Sequence, residues 1–184
     1  SAKSSSFFSV FPSIMLPMFL AVVDQTIVAT ALPAIAAGTG EVGRASWVVV
    51  SYLIAATIAA PIYGRLGDSF GRRTVMYSAL IVFIVASLLC AVSPTIEMLT
   101  LARILQGLGG GGLMTLSQAL IGEAIPPRER ARYQGYIATV AVCANSFGPV
   151  AGGILTEHFG WRSIFLVNLP IALADRDPEV FANP

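Results

Sequence analysis

Two ionisable residues stand inside otherwise apolar stretches of this sequence: Asp24, in Leu20-Ala-Val-Val-Asp24-Gln25-Thr26, and Arg103, in Leu99-Thr-Leu-Ala-Arg103-Ile-Leu-Gln106-Gly107. A carboxylate near the centre of a bilayer costs about 2.5–3.5 kcal/mol on insertion scales. Burial favours the neutral form, so such an acid is a candidate to bind and release a proton. Arginine has no such escape, because its guanidinium keeps its charge in proteins. It must face a partner or a water-filled space. These are the charges deep in the apolar segments, and their signs are opposite. The economical expectation is that they meet across their helices. Neutralising Asp24 then frees Arg103 to seek other acceptors; the plainer alternative is a static ion pair that locks the bundle.

Glycine placement is a second signal. Gly107, Gly109, Gly110, Gly111 and Gly112 fall in one apolar segment, and Gly148, Gly152 and Gly153 fall in another, with Pro149 beside them. Gly107 to Gly111 and Gly148 to Gly152 share the four-residue spacing that lets membrane helices approach closely. Neighbouring groups tolerate the backbone bond lost at Pro149, so that helix can bend, slide or simply pack tightly. The third signal is the polar stretch Gly64-Arg65-Leu66-Gly67-Asp68-Ser69-Phe70-Gly71-Arg72-Arg73, read as a short loop. Asp68 can pair with arginines four and five residues on, or dock on the positive end of another helix. Gly67 and Gly71 suit a turn.

The elements that must hold these residues are membrane helices. Of 184 residues, 55% are hydrophobic and only 11% are charged, and mean hydropathy is +0.77. A soluble domain carries roughly 25% charge; here too few charges exist to cover a water-exposed surface. The net charge of +1 gives no reason to expect a nucleic-acid partner. Apolar segments run over about 11–37, 46–63, 74–92, 98–125 and 136–155, and a sixth over 163–174. Roughly 20 apolar residues are needed to cross a bilayer, so the sixth is expected to fall short. The expected organisation is a cytoplasmic segment over 1–10, a six-helix transmembrane domain over 11–174 and a polar tail over 175–184. An amino-terminal signal peptide ending at Ala34-Ile35-Ala36 is a weaker reading, since the apolar region is too long and contains Asp24.

Loop charges give orientation. Lys3, Arg65, Arg72, Arg73, Arg128, Arg130 and Arg132 fall on one side, against Arg44 and Arg162 on the other. The positive-inside rule then places the amino terminus in the cytoplasm, with the chain multi-pass in a cell (inner) membrane. Cys90 and Cys143 sit alone in apolar segments, and His158 lies in a polar connector, so no metal site is expected. No nucleophile–base pair is visible either. An enzyme and a bound cofactor are therefore not expected.

Taken together, the segments resemble the major facilitator superfamily, and in particular its fourteen-helix drug:proton antiporter branch. Asp24-Gln25-Thr26-Ile27-Val28 through Ala31-Leu32-Pro33 is similar to that branch's first-helix motif. Gly64 to Arg73 resembles its signature between the second and third helices. Leu99, Arg103, Gln106, Gly107 and Gly109 resemble the fourth-helix motif, and Gly148-Pro149-Val-Ala-Gly152-Gly153 the antiporter motif of the fifth. Trp161-Arg162 through Asn168-Leu-Pro170 is similar to the sequence that follows it.

The resemblance implies an all-α six-helix bundle, a 3+3 inverted repeat equivalent to the amino-terminal half of the fold. It implies proton coupling through Asp24 and Arg103, and a substrate cavity with Gln25 and Gln106 as polar features. It also implies a cytoplasmic gate latch at Gly64, Asp68, Gly71, Arg72 and Arg73, and a fifth helix whose bend is set by Gly148, Pro149, Gly152 and Gly153. The implied partners are the lipid bilayer, protons, a small hydrophobic or cationic substrate, and either a second half or a second copy of the chain. Ser69 departs from the family pattern, which often has a basic residue there. The expected function is proton-coupled multidrug export by the chain or by the larger unit it belongs to. The competing readings are a membrane fragment that moves nothing, a homodimerising half-transporter, and a nutrient symporter or uniporter, which the Gly-Pro signature disfavours.

Overall fold

The computed structural model describes residues 2–124 and 126–167, with side chains from Met15 onward apart from Ala124. Six helices follow one another: α1 (Ala2–Thr39), α2 (Trp47–Phe70), α3 (Arg72–Ala91), α4 (Ile96–Ala124), α5 (Arg130–Phe159) and α6 (Ser163–Leu166). There is no strand among the described residues. Met15–Thr39, Trp47–Phe70, Arg72–Ala91 and Arg130–Phe159 are long and apolar enough to cross a membrane. At 29 residues α4 is also long enough; Arg103, Gln106 and its glycines dilute its apolar character. The expected tail and the rest of the sixth segment lie outside the described residues. The helix of α1 already runs through the stretch expected as a separate amino-terminal segment.

The expected loop at Gly64–Arg73 is a correction. Helix α2 continues through Phe70 and α3 begins at Arg72, leaving Gly71 alone between them. Nothing in Gly64–Phe70 forbids helix, so the chain turns only where a residue can take φ of 90°. The Gly71 N–H donates to the Gly67 carbonyl at 3.1 Å and closes the helix end.

Packing has a simple symmetry. α1 lies on α5 and α4 on α2; α4 lies on α3 and α1 on α6. Exchanging α1–α3 for α4–α6 maps these contacts onto one another, as an inverted repeat would. One core gathers Val23, Ile27, Ile35, Val48, Leu99 and Phe165. A second joins Leu20, Tyr52, Met76, Phe83 and Leu113. Large apolar side chains such as Leu53, Ile54, Ile58 and Ile62 point outward from α2. That arrangement suits a surface bathed in hydrocarbon, where backbone groups are already paired within each helix. At one end of the bundle Arg162 Nη2 donates to the Ser93 carbonyl at 3.0 Å, and Arg44 pairs with Glu97.

Candidate functional site

The centre of the bundle is a buried network of polar groups from four helices. Arg103 on α4 donates through Nη1 to Asp24 Oδ2 on α1 at 2.6 Å. The same nitrogen donates to Gln106 Oε1 at 2.7 Å, one helical turn along. Arg103 Nε donates to the Val48 carbonyl in the first turn of α2 at 3.1 Å. Gln106 Nε2 donates to Asp24 Oδ1 at 3.1 Å and to Ser87 Oγ on α3 at 2.8 Å. The Cys90 thiol donates weakly to Gln106 Oε1 at 3.5 Å. The guanidinium carbon also stands 4.2 Å from the centroid of the Tyr52 ring on α2.

Burial makes this network costly to break. Arg103 and Gln106 are 0% exposed and Asp24 is 1% exposed, so no charge here is shared with bulk water. Removing one member of a buried pair strands the other, at about 3–5 kcal/mol. The asymmetry noted in the sequence persists: the acid can be neutralised by a proton, and the guanidinium cannot.

Glycines bring the helices close enough for these bonds. A Cβ on Gly111 would lie 2.6 Å from the Ala56 carbonyl oxygen, and one on Gly109 would lie 2.8 Å from the Phe83 nitrogen. On α5, Gly148 faces the Thr26 side chain, and a Cβ on Gly152 would sit 3.1 Å from the Ile27 oxygen. Gly153 faces open space. Pro149, inside α5, removes the amide that would reach the Asn145 carbonyl.

A second polar group occupies the opposite end from Arg44 and Arg162. Arg72 Nη2 bonds Asp68 Oδ1 at 3.0 Å, and its Nε lies 2.9 Å from Glu123 Oε1 at the end of α4. Together with Gly67, Gly71 and Arg73 they line a cleft of about 450 Å³.

The structure therefore brings Asp24, Arg103 and Gln106 into one cluster, and Asp68, Gly71, Arg72 and Arg73 into another. Gly64 has no close neighbour beyond Thr115, whose methyl is 4.0 Å from a built Cβ. Gln25 is half-buried beside Asp24. Gln106, expected on a cavity wall, instead points into the sealed network, because its amide bridges α1 and α3 there. Sequence reasoning missed Ser87, Cys90, Tyr52 and Glu123. Ser87 and Cys90 are three residues apart on α3, a spacing that puts them on one face. Nothing in the sequence says which helix that face meets. Among the described residues no group of three His, Cys, Asp or Glu could hold a metal ion.

Comparison with known proteins gives a consistent picture. The sequence profile of the Major Facilitator Superfamily matches residues 14–174. An uncharacterized MFS-type transporter of Mycobacterium tuberculosis is 39% identical over 165 residues, covering 90% of this chain and 24% of that protein. The efflux pump dotC of Dothistroma septosporum is 42% identical over 159 residues, covering 86% of this chain and 27% of the pump. Multidrug resistance protein 3 of Bacillus subtilis is 35% identical over 170 residues, covering 92% of this chain and 33% of that protein. The chain thus spans about a quarter to a third of the length of these curated relatives. Among solved structures, a D-xylose-proton symporter superposes with a TM-score of 0.80 over 97% of this chain and 48% of its own, at 16% identity. An inward-open xylose transporter of E. coli gives 0.76 at 20% identity, over 97% of this chain and 48% of its own. At these identities the likeness is one of fold.

Proposed function

This chain belongs to the major facilitator superfamily, and on that footing we propose that it takes part in proton-coupled export of hydrophobic or cationic compounds across a cell (inner) membrane. The observation that carries the reading is the Asp24–Arg103 pair, 2.6 Å apart and shut off from water. Relatives named as efflux pumps and as a multidrug resistance protein support the direction of transport.

The chemistry proposed is an exchange at one carboxyl. In the arrangement described, the Asp24 carboxyl accepts from Arg103 Nη1 and from the Gln106 amide. A proton arriving at Asp24 cancels the ion pair while Arg103 keeps its bonds to the Val48 carbonyl and Gln106. The loss of one strong contact between α1 and α4 is the event that biases α1 and α5 toward a second packing. A hydrophobic cation leaving the cavity is then traded for a proton, with Gln25 on the cavity wall. Alternating access needs two such six-helix units rocking about a midplane site. The partner is a second half or a second copy of the chain, and the Asp68–Arg72–Glu123 cluster is the cytoplasmic latch against it. Arg65, Arg72, Arg73 and Arg128, Arg130, Arg132 share that end, a bias that supports reading it as the cytoplasmic one, with the amino terminus on the same side.

The test is ethidium transport in proteoliposomes under an imposed pH gradient. Gradient-driven ethidium movement is expected, and Asp24→Asn is expected to abolish it. Transport that persists undiminished in Asp24→Asn would remove proton coupling from this residue.

A further inference from the structure

The Tyr52 ring occupies a slot that α4 builds for it. Arg103, Gln106, Gly107 and Gly110 recur at the spacing that lines one helix face. A Cβ on Gly110 would collide with the Tyr52 hydroxyl, and a Cβ on Gly107 would lie 3.0 Å from the Tyr52 Cα. The helix thus gives up a side chain at Gly110 to admit the ring of Tyr52, itself 1% exposed, while Gly107 lets the α2 backbone come close. Close packing by itself asks only for an apolar side chain. The guanidinium asks for more: Nε and Nη1 have acceptors, whereas Nη2 finds none among the described residues. The ring face, 4.2 Å from the guanidinium carbon, is the remaining electron-rich surface beside it.

We propose that the Tyr52 ring is the partner that keeps Arg103 seated when Asp24 takes up a proton. This rests on the proton-exchange reading. An aromatic face is negative, so it attracts a guanidinium and repels a nearby carboxylate. Protonation ends the ion pair and the repulsion together, but leaves the attraction in place. Among the described residues no other buried charged side chain stands ready to replace the acid. Among the described residues, α3 presents Ser87 and the neutral thiol of Cys90, and α4 adds only Gln106. The face of α5 toward α1 is Ala144, Gly148 and Gly152, and α6 offers Ile164 and Phe165. Tyr52 is therefore a positioning residue, acting through Arg103.

Replacing Tyr52 with 3,4,5-trifluorophenylalanine keeps the ring's shape and drains its negative face, and Tyr52→Phe keeps both. Thermal midpoints are measured in detergent for each, in the parent protein and in the Asp24→Asn background, where the acid is permanently neutral. Asp24→Ala serves as a second neutral background if the asparagine protein does not fold. Tyr52→Phe is expected to stay close to tyrosine in every background. Relative to Tyr52→Phe, fluorination is expected to lower the midpoint by about 3 °C more in the neutral backgrounds than in the parent. Equal losses in all backgrounds, or none, would overturn the proposal and leave the ring as filling. Persistent ethidium antiport in Asp24→Asn ends the exchange reading without touching this difference in midpoints, so the two failures are distinguishable.

Discussion

Gly107 and Gly111 on α4 face α2, and Gly148 and Gly152 on α5 face α1, with the same spacing in both. Their surroundings differ. On α4 the glycines meet backbone: a Cβ at Gly111 would stand 2.6 Å from the Ala56 oxygen and 2.8 Å from its Cα. On the far face of the same helix, Gly109 meets the backbone of Phe83 and Ala79 of α3. On α5, Gly148 meets a threonine side chain, and a Cβ at Gly152 would keep 3.1 Å from the nearest backbone atom. Side chains can rotate away and backbone in a packed helix cannot. The α2–α3–α4 block is thus sealed, while the α1–α5 seam has room to give. Arg103 and its ring partner belong to the sealed block. Asp24 stands on α1, which touches both. In the proposed exchange, a charge change at Asp24 would act on the seam against a fixed cation.

Three substitutions break or sharpen this contrast. The largest effect is expected from Gly111→Ala, whose added carbon has only backbone to push against. Overpacking there should cost about 3 kcal/mol, read as a lost thermal midpoint and poor recovery of monodisperse protein. Gly152→Ala should cost about 1 kcal/mol, a smaller strain in the same class, yet slow gradient-driven ethidium transport more than it lowers stability. If Gly152→Ala were as damaging to folding as Gly111→Ala, the seam would be no looser than the block. The smallest effect is expected from Gly153→Ala, one residue on, where nothing lies within 4 Å. Helix propensity alone should raise stability there, by about 0.8 kcal/mol in thermal unfolding.

The sequence showed the charges more readily than their surroundings. Asp24 and Arg103 announce themselves because lipid penalises each alone, and opposite signs in apolar segments have one economical arrangement. The glycine spacings were equally visible. Their unequal surroundings were not, because a four-residue repeat specifies how near a helix may come and says nothing of which atoms it meets. Ser87 and Tyr52 escaped notice for a related reason. A serine or tyrosine in a membrane helix is common, and its partner is decided by how neighbouring helices are rotated. Gly64–Phe70 read as loop because of its glycines and polar residues, yet none forbids helix, and α2 simply runs on until Gly71 turns it. Glu123 gained its meaning only when α4 brought it beside Arg72.

The most direct measurement asks whether drug and proton compete for one protein. Ethidium is added to the purified protein in nearly unbuffered detergent solution, and pH is followed with an indicator dye. Because coupling between two ligands is reciprocal, the account predicts that ethidium binding expels protons and that Asp24→Asn binds ethidium with no such release. Ethidium binding without proton release in the parent protein, or equal release in Asp24→Asn, would contradict it.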